Sequence, residues 1–204
     1  MTISKAKAFI QKIGPIIQAE AKKRGYLVCS PIIAQAVIES RYGESGLAKY
    51  HNYFGLKCGS RWKGPSVNMK TKEEYNSQLV SIRDNFRAYP DMESGVKGYF
   101  DFISTIRYAN LKTAPTPEEY LRRIKADGYA TSSSYVNTNL SCINTYDLTK
   151  WDNPQTGLKS IDEIAKEVID GKWSTGATRK QLLRAAGYNP SIVQARVNEI
   201  LKNK

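Results

Sequence analysis

The segment from Ser30 to Glu39, Ser-Pro-Ile-Ile-Ala-Gln-Ala-Val-Ile-Glu, constrains the fold more than any other part of the chain. Ser30 followed by Pro31 reads as an N-cap with proline at the first helical position, where a missing N–H costs nothing. Ile32, Ile33, Ala34, Ala36, Val37 and Ile38 then leave almost no polar face. A helix that is apolar nearly all round is satisfied only inside a core, so the rest of the chain must be packed around this one. It is too short to span a bilayer, and no stretch of the 204 residues approaches the ~18 uninterrupted apolar positions that a span requires. Glu39 closes the run, and a carboxylate at the inner end of a core helix is expensive to ionise unless it is paired, so its pKa is expected to be raised.

The remaining pattern is mostly helical. Phe9, Ile13, Ile16 and Ile17 mark a first helix that closes around Lys22 to Gly25. Gly55 to Pro65 reads as loop. Between Val67 and Tyr89 the period changes to two, with Val80, Ile82, Phe86 and Ala88 in one parity and a turn at Tyr75-Asn76-Ser77-Gln78, which predicts a small antiparallel hairpin. Helix returns after Ser94, with a stripe of Val96, Phe100, Ile103 and Ile106 or its neighbours. Thr116-Pro117-Glu118-Glu119 is a capping box opening a helix that carries Tyr120, Leu121 and Ile124, and another helix spans Ser134 to Tyr146.

Trp151 to Gly157 is polar and contains proline and glycine, as a linker does. Three short helical units follow. Ser160-Ile161-Asp162-Glu163 is a capping box with Gly171 as its stop; Thr178 caps the second helix, which ends at Gly187; Asn189-Pro190 opens the third, with Ile192, Val193, Val197, Ile200 and Leu201 apolar. The expected fold class is therefore α+β, mostly helical, with a small β-hairpin lobe, plus a small three-helix bundle. The division is residues 1–152, a linker at 153–158, and 159–204.

Thirty-one basic against nineteen acidic side chains give a net charge of +12, which favours polyanionic partners: nucleic acid, anionic lipid or an anionic cell-wall polymer. Charge alone does not choose among them, but no nucleic-acid recognition motif is present. Cys29, Cys58 and Cys142 lack metal-ligand spacing and form no even framework, and the single His51 cannot build a histidine-based metal site, so no metal or other cofactor is expected. The first ten residues lack the continuous apolar centre of a secretory signal, so synthesis in the cytoplasm is expected. The chemically distinctive residue remains Glu39. A carboxylic acid kept protonated near neutral pH can protonate a leaving oxygen, as the general acid of glycoside hydrolysis does. The structural alternative is an ion pair with Arg41 or Lys49.

Ala34-Gln35-Ala36-Val37-Ile38-Glu39-Ser40-Arg41-Tyr42-Gly43, followed by Asn52-Tyr53-Phe54-Gly55-Leu56-Lys57, resembles the family 73 glycoside hydrolases, N-acetylglucosaminidases of lysozyme-like fold. Thr71-Lys72-Glu73, Phe86-Arg87-Ala88-Tyr89, Gly98-Tyr99 and Gly128-Tyr129-Ala130-Thr131 ahead of Tyr135 continue the resemblance in order over about residues 3 to 152. It implies Glu39 as catalytic acid, Glu73 as the second carboxylate, with Glu74 as the alternative in a shifted register, and Tyr129 in the active-site cleft. Asn52, Tyr53, Phe54 and Tyr135 are the implied substrate-binding positions, and Phe54 serves equally well as core. The family commonly has Glu-Ser-Gly-Trp-Gly where this chain has Glu39-Ser40-Arg41-Tyr42-Gly43, and Arg41 is expected to point outward.

Ser160 to Ala165, Gly171-Lys172-Trp173 and Ala185-Ala186-Gly187-Tyr188 to Asn198 resemble a Cpl-seven-type cell-wall-binding repeat, here in one copy. Trp173, Arg179 and Arg184 are its candidate ligand contacts, through aromatic stacking on sugar and guanidinium pairing with carboxylate, while Trp173 is equally suited to plug the core of a tiny bundle. The two resemblances together imply an endolysin-like peptidoglycan hydrolase cleaving the β-1,4 bond between N-acetylglucosamine and N-acetylmuramic acid, with muramidase, lytic transglycosylase and non-catalytic wall binding as alternatives. Bacterial peptidoglycan is the implied partner, with no nucleic acid, no membrane, self-association through the single C-terminal repeat, and holin-mediated release to the wall.

Overall fold

The computed structural model describes residues 2–60, 62–75, 78–152, 159, 161–186 and 188–202, with side chains excepted at 2, 72–80 and 185. Eight α-helices and one two-stranded sheet follow the order α1 (Thr2–Arg24), α2 (Ser30–Glu39), β1 (Ser66–Tyr75), β2 (Gln78–Arg87), α3 (Met92–Ile103), α4 (Pro117–Ala126), α5 (Tyr135–Tyr146), α6 (Ile161–Ile169), α7 (Gly176–Ala185) and α8 (Pro190–Lys202). Short 3-10 segments occupy Leu47–Tyr50, Ile106–Thr113 and Leu148–Trp151. Among the described residues no helix is long and apolar enough to cross a membrane, and no group of three candidate ligands gathers around a metal position.

Helix α2 is surrounded, as its composition demands. Residues Ser30 to Val37 are all buried, and α1, α4, α5 and the 148–151 segment pack against it. The apolar residues form two separate clusters. The larger one gathers Phe9, Ile13 and Ile17 of α1, Ile32, Ile33 and Val37 of α2, Tyr99, Phe100 and Ile103 of α3, Tyr120, Leu121 and Ile124 of α4, and Ile143 of α5. The smaller one is made by Ile164, Val168, Leu183, Val193 and Val197 of the last three helices together with Tyr188 between the last two. The expected linker at 153–158 lies outside the described residues, as do Ser160, Gly187 and the hairpin turn residues Asn76 and Ser77.

The hairpin forms in the expected antiparallel sense, with Val67 opposite Phe86, Thr71 opposite Ile82 and Glu73 opposite Val80. Phe86 is buried and Lys57 bridges to it, which roots the lobe on the 52–58 loop. On β1, Met69 lies against Gly46 of the helical body.

Several caps differ from the sequence reading. The N-cap of α2 is Cys29, not Ser30, and Cys29 supplies no side-chain cap bond. The cap comes instead from far along the chain. Asp152 Oδ1 accepts from the backbone N–H of Cys29 (2.7 Å) and of Ser30 (2.6 Å), and its Oδ2 accepts from the Ser30 hydroxyl (2.8 Å). Trp151, read as linker, lies against Gly14 of α1, where a Cβ would come within 3.0 Å of its ring. Thr116 caps α4 by accepting from the Glu119 N–H, but the Glu119 carboxylate turns to Arg123, so only half of the capping box closes. Helix α7 starts from Thr175, not Thr178. Ile106 falls beyond the end of α3 and is 94% exposed, so it leaves the expected stripe, and Leu201 is likewise exposed.

Asp152→Ala removes the acceptor of two backbone donors at a buried helix start. It is expected to lower stability by about 1–3 kcal/mol. Asp152→Asn, which keeps one acceptor oxygen, should lose less. Urea unfolding of the two variants beside the parent protein measures both.

Candidate functional site

Glu39 is the last residue of α2, and Gln35 stands one turn before it on the same face. Gln35 is buried, and both ends of its amide are engaged: Oε1 accepts from the Tyr99 hydroxyl (2.7 Å) and Nε2 donates to the Tyr135 hydroxyl (2.6 Å). Tyr99 also meets the Tyr120 hydroxyl at 3.2 Å. A buried polar chain therefore crosses α2, α3, α4 and α5 immediately beneath the helix end. Because the Gln35 amide donates to Tyr135, the tyrosine keeps its own proton for another acceptor.

Aromatic rings extend this platform. Phe54 stacks on Tyr99 at 4.0 Å between centroids, and Tyr129 stands 6.3 Å from Tyr99 and 6.2 Å from Tyr135. The Tyr129 hydroxyl donates to the Phe54 carbonyl at 3.1 Å, which ties the segment after α4 to the 52–56 loop. Gly55 has φ +65, and a Cβ there would lie 3.7 Å from Glu39 Oε2, so the loop's backbone passes directly beside the carboxyl. Glycine is favoured by the left-handed backbone at this point.

Glu39 is exposed as a residue at the end of α2, yet the residues around its carboxyl desolvate that group and raise its pKa, with burial as the cause. Among the described residues it forms no ion pair. Neither Arg41 nor Lys49 reaches it, and the Arg41 side chain is exposed. Burial also raises the phenols of Tyr129 and Tyr135, and the Glu39 charge adds to both shifts. Both phenols consequently stay neutral beside an acid held above the usual carboxylate range; the Tyr129 proton is given to the Phe54 carbonyl, while the Tyr135 proton is left for another acceptor.

The other sequence candidates take distinct places. Asn52 is buried, with its amide donating to the Leu56 and Arg87 carbonyls and accepting from the Leu56 N–H. It closes the loop that presents Gly55 and joins it to the end of β2. Tyr53 is buried, packs 5.5 Å from Phe9 and meets His51 Nδ1 through its hydroxyl. Phe54 is buried as well, so its ring supports the platform while its carbonyl holds Tyr129. Glu73 and Glu74 take register positions opposite Val80 and Leu79, and their side chains lie outside the described residues.

In the C-terminal bundle, Trp173 is half-buried against the smaller core. Its indole N–H donates to Glu167 Oε2 at 2.9 Å, and its ring meets Tyr188 edge-on at 6.0 Å. Arg179 donates to the Ser174 carbonyl and lines an open groove of about 430 Å³ between α7 and α8, together with Lys180, Gln194 and Asn198. Trp173 and Arg184 do not line that groove; Arg184 is exposed elsewhere.

Gln35 and Gly55 are the site residues that sequence reasoning passed over. A single polar side chain inside an otherwise apolar helix, one turn from its terminal carboxylate, was the available signal for the first. Nothing local in the sequence signals the second.

Residues 14–148 match the family described as mannosyl-glycoprotein endo-β-N-acetylglucosaminidase, and residues 162–201 match the CW_7 repeat. The chain is 33% identical over 138 residues to the peptidoglycan hydrolase FlgJ of Pseudomonas aeruginosa, a match covering 64% of this chain and 34% of that one. It is 29% identical over 192 residues to the exo-glucosaminidase LytG of Bacillus subtilis, covering 89% and 67%. It thus spans about a third of the first relative and two thirds of the second. Among solved structures it is similar to the catalytic domain of the Listeria monocytogenes autolysin Auto, with a TM-score of 0.63, 28% identity and coverage of 72% and 88%. A peptidoglycan hydrolase mutant from Sphingomonas sp. A1 gives 0.61, 29%, and coverage of 71% and 97%.

Gln35→Leu leaves the Tyr135 hydroxyl without its buried partner and is expected to cost about 1–3 kcal/mol. Tyr120→Phe, at the far end of the chain, should cost less. Thermal unfolding of both variants checks the order.

Proposed function

The chain belongs to the glucosaminidase family of glycoside hydrolases, and from that premise we propose that it hydrolyses bacterial peptidoglycan, cleaving the β-1,4 bond between N-acetylglucosamine and N-acetylmuramic acid with Glu39 as the general acid. The observation that carries this reading is a carboxyl at the end of a buried helix, without an ion-pair partner among the described residues and raised in pKa by its surroundings. Such a group holds its proton where an ordinary glutamate has lost it, and delivers it to the bridging oxygen as the glycosidic bond breaks.

Positive charge then develops on the sugar ring, and a second carboxylate steadies it or guides water, or supports a substrate-assisted reaction through the sugar's own acetamido group. Position 73 on β1 has the same strand parity as Met69, which lies against the helical body at Gly46. That parity favours Glu73 over Glu74 for this role. The neutral phenol of Tyr135, whose proton is left free by Gln35, serves as a donor to the sugar, Tyr129 lines the site with its ring and a hydroxyl oxygen that can still accept, and Asn52, Tyr53 and Phe54 hold the loop against which the sugar rests. The second module, residues 159–204 after a linker at 153–158, binds the wall. Arg179 is placed in a groove there, and Trp173 and Arg184 flank the same bundle. A single copy gives weak capture unless chains associate, since avidity needs more than one linked site. The proposed route is synthesis in the cytoplasm followed by holin-mediated release to the wall.

Glu39→Gln preserves shape and removes the proton. Purified peptidoglycan should still bind this variant but should no longer be digested, and full activity would overturn the assignment. Products of the parent protein should carry reducible N-acetylglucosamine ends in mass spectra; reducible N-acetylmuramic ends would mark a muramidase instead. The pH dependence follows from the sign of the Glu39 shift. The acid is active while protonated, its pKa is raised, and so kcat/KM should fall as pH rises through a value above the ordinary glutamate range, an alkaline limb that a pH–rate profile measures directly.

A further inference from the structure

Immediately after Glu39 the chain enters an unusual turn. Arg41 (φ 50) and Tyr42 (φ 61) are consecutive non-glycine residues in the left-handed region, followed by Gly43 (φ 80). Each non-glycine residue there costs about 1 kcal/mol or more and persists only where the surroundings impose it. The buried side chain of Ser40 imposes it here: its hydroxyl donates to the Ala36 carbonyl at 2.6 Å and accepts from the Gly43 N–H at 2.8 Å. The Tyr42 N–H reaches back to the Val37 carbonyl at 2.9 Å, and the Ser45 N–H to the Ser40 carbonyl at 2.8 Å.

The turn sets Arg41 and Tyr42 on the rim of a half-open groove of about 330 Å³ between the end of α2 and helix α5. Thr138, Ser141 and Thr145 line it from α5, at spacings that put all three hydroxyls on one helix face, and Tyr146 closes its far end. Val37 and Ile38 form an apolar floor. Among the described residues neither the Arg41 guanidinium nor the hydroxyls of Thr138, Ser141 and Thr145 have a side-chain partner. A free cation, a row of free hydroxyls and two phenol rings over an aliphatic floor suit a short, carboxylate-bearing peptide, and guanidinium forms its strongest pairs with carboxylates. The groove also lies next to the site: Ile38 on its floor directly precedes Glu39, and Tyr135, which accepts from Gln35, lies in the same first turn of α5 as Thr138, so a polymer held at Glu39 and extending along α5 is brought towards it.

We infer that this groove is a binding site for a carboxylate of the peptide stem carried by the wall glycan, with Arg41 as the anchoring charge. The inference rests on the peptidoglycan reading above, because the peptide stem of that polymer is what brings the carboxylate to the groove. Arg41 is thereby a specificity residue: it selects peptide-bearing glycan without touching the reacting bond.

The test uses the full chain in a Glu39→Gln background, which keeps the ligand intact. The probes are a soluble disaccharide-tetrapeptide with free carboxyls and the same compound with its carboxyls converted to amides. Titration calorimetry compares Glu39→Gln alone with Glu39→Gln carrying Arg41→Gln, so that binding by the C-terminal module is common to both. Arg41→Gln should weaken the free-acid probe about tenfold, the loss of one partly desolvated charged hydrogen-bond pair, and should leave the amidated probe unchanged. Arg41→Lys should restore part of the difference. Equal binding of the free-acid probe by both chains, or an equal loss for both probes, overturns the inference. Digestion of whole peptidoglycan by the Glu39→Gln and parent chains reports separately on the catalytic reading: retained activity in Glu39→Gln would remove Glu39 as the acid, while indifference to Arg41 with Glu39 essential would remove only the groove.

Discussion

A helix with no polar side can be stabilised only by being enclosed, and that requirement organises the larger part of this molecule. Enclosing α2 places its one ionisable residue at the end of the helix, where the enclosure stops. The carboxyl therefore stands where the burial of α2 runs out. The same walls that shield Ile32, Ile33 and Val37 strip solvent from the Glu39 carboxyl without giving it a partner, and a raised pKa is the direct result. Stability and the chemistry of the acid have one origin.

The protein satisfies the polar groups beneath that acid with hydroxyls and amides rather than with charges. Gln35 joins Tyr99 and Tyr135, and Tyr129 is held by a backbone carbonyl. A buried lysine or arginine in any of these places would pull the Glu39 pKa down and discharge the acid. Neutral donors fix the geometry without that effect. The approach of the Gly55 backbone to the carboxyl follows the same logic, since a main chain brings walls close without bringing a charge.

The helices and the hairpin were legible because their signals are local: a 3.6-residue stripe in α3 and α4, a two-residue period and turn in β1 and β2, and an apolar run in α2. Glu39 was legible because its position contradicts its chemistry. Cap positions were harder, as Cys29 replacing Ser30 and Thr175 replacing Thr178 demonstrate. A cap depends on which backbone groups remain unpaired, and several nearby residues in each case could have taken the role. Distant ties were invisible. Nothing near Asp152 marks it as the acceptor for a helix that starts more than a hundred residues earlier, and nothing near Asn52 indicates that its amide joins a loop to the end of β2. Ile106 misled because its spacing fits a helix that has already ended at Ile103.

The position of Asp152 extends the packing around α2 beyond the family's recognisable segment. The segment recognisable as glucosaminidase ends at residue 148, while the acceptor that closes the start of α2 stands four residues further on and the Trp151 ring that covers Gly14 only three. A fragment cut at the family boundary keeps every motif and loses the clasp at the base of the helix that bears the acid. The packed unit around α2 is longer than its recognisable sequence, and its last residues are architecture that family resemblance alone would trim away.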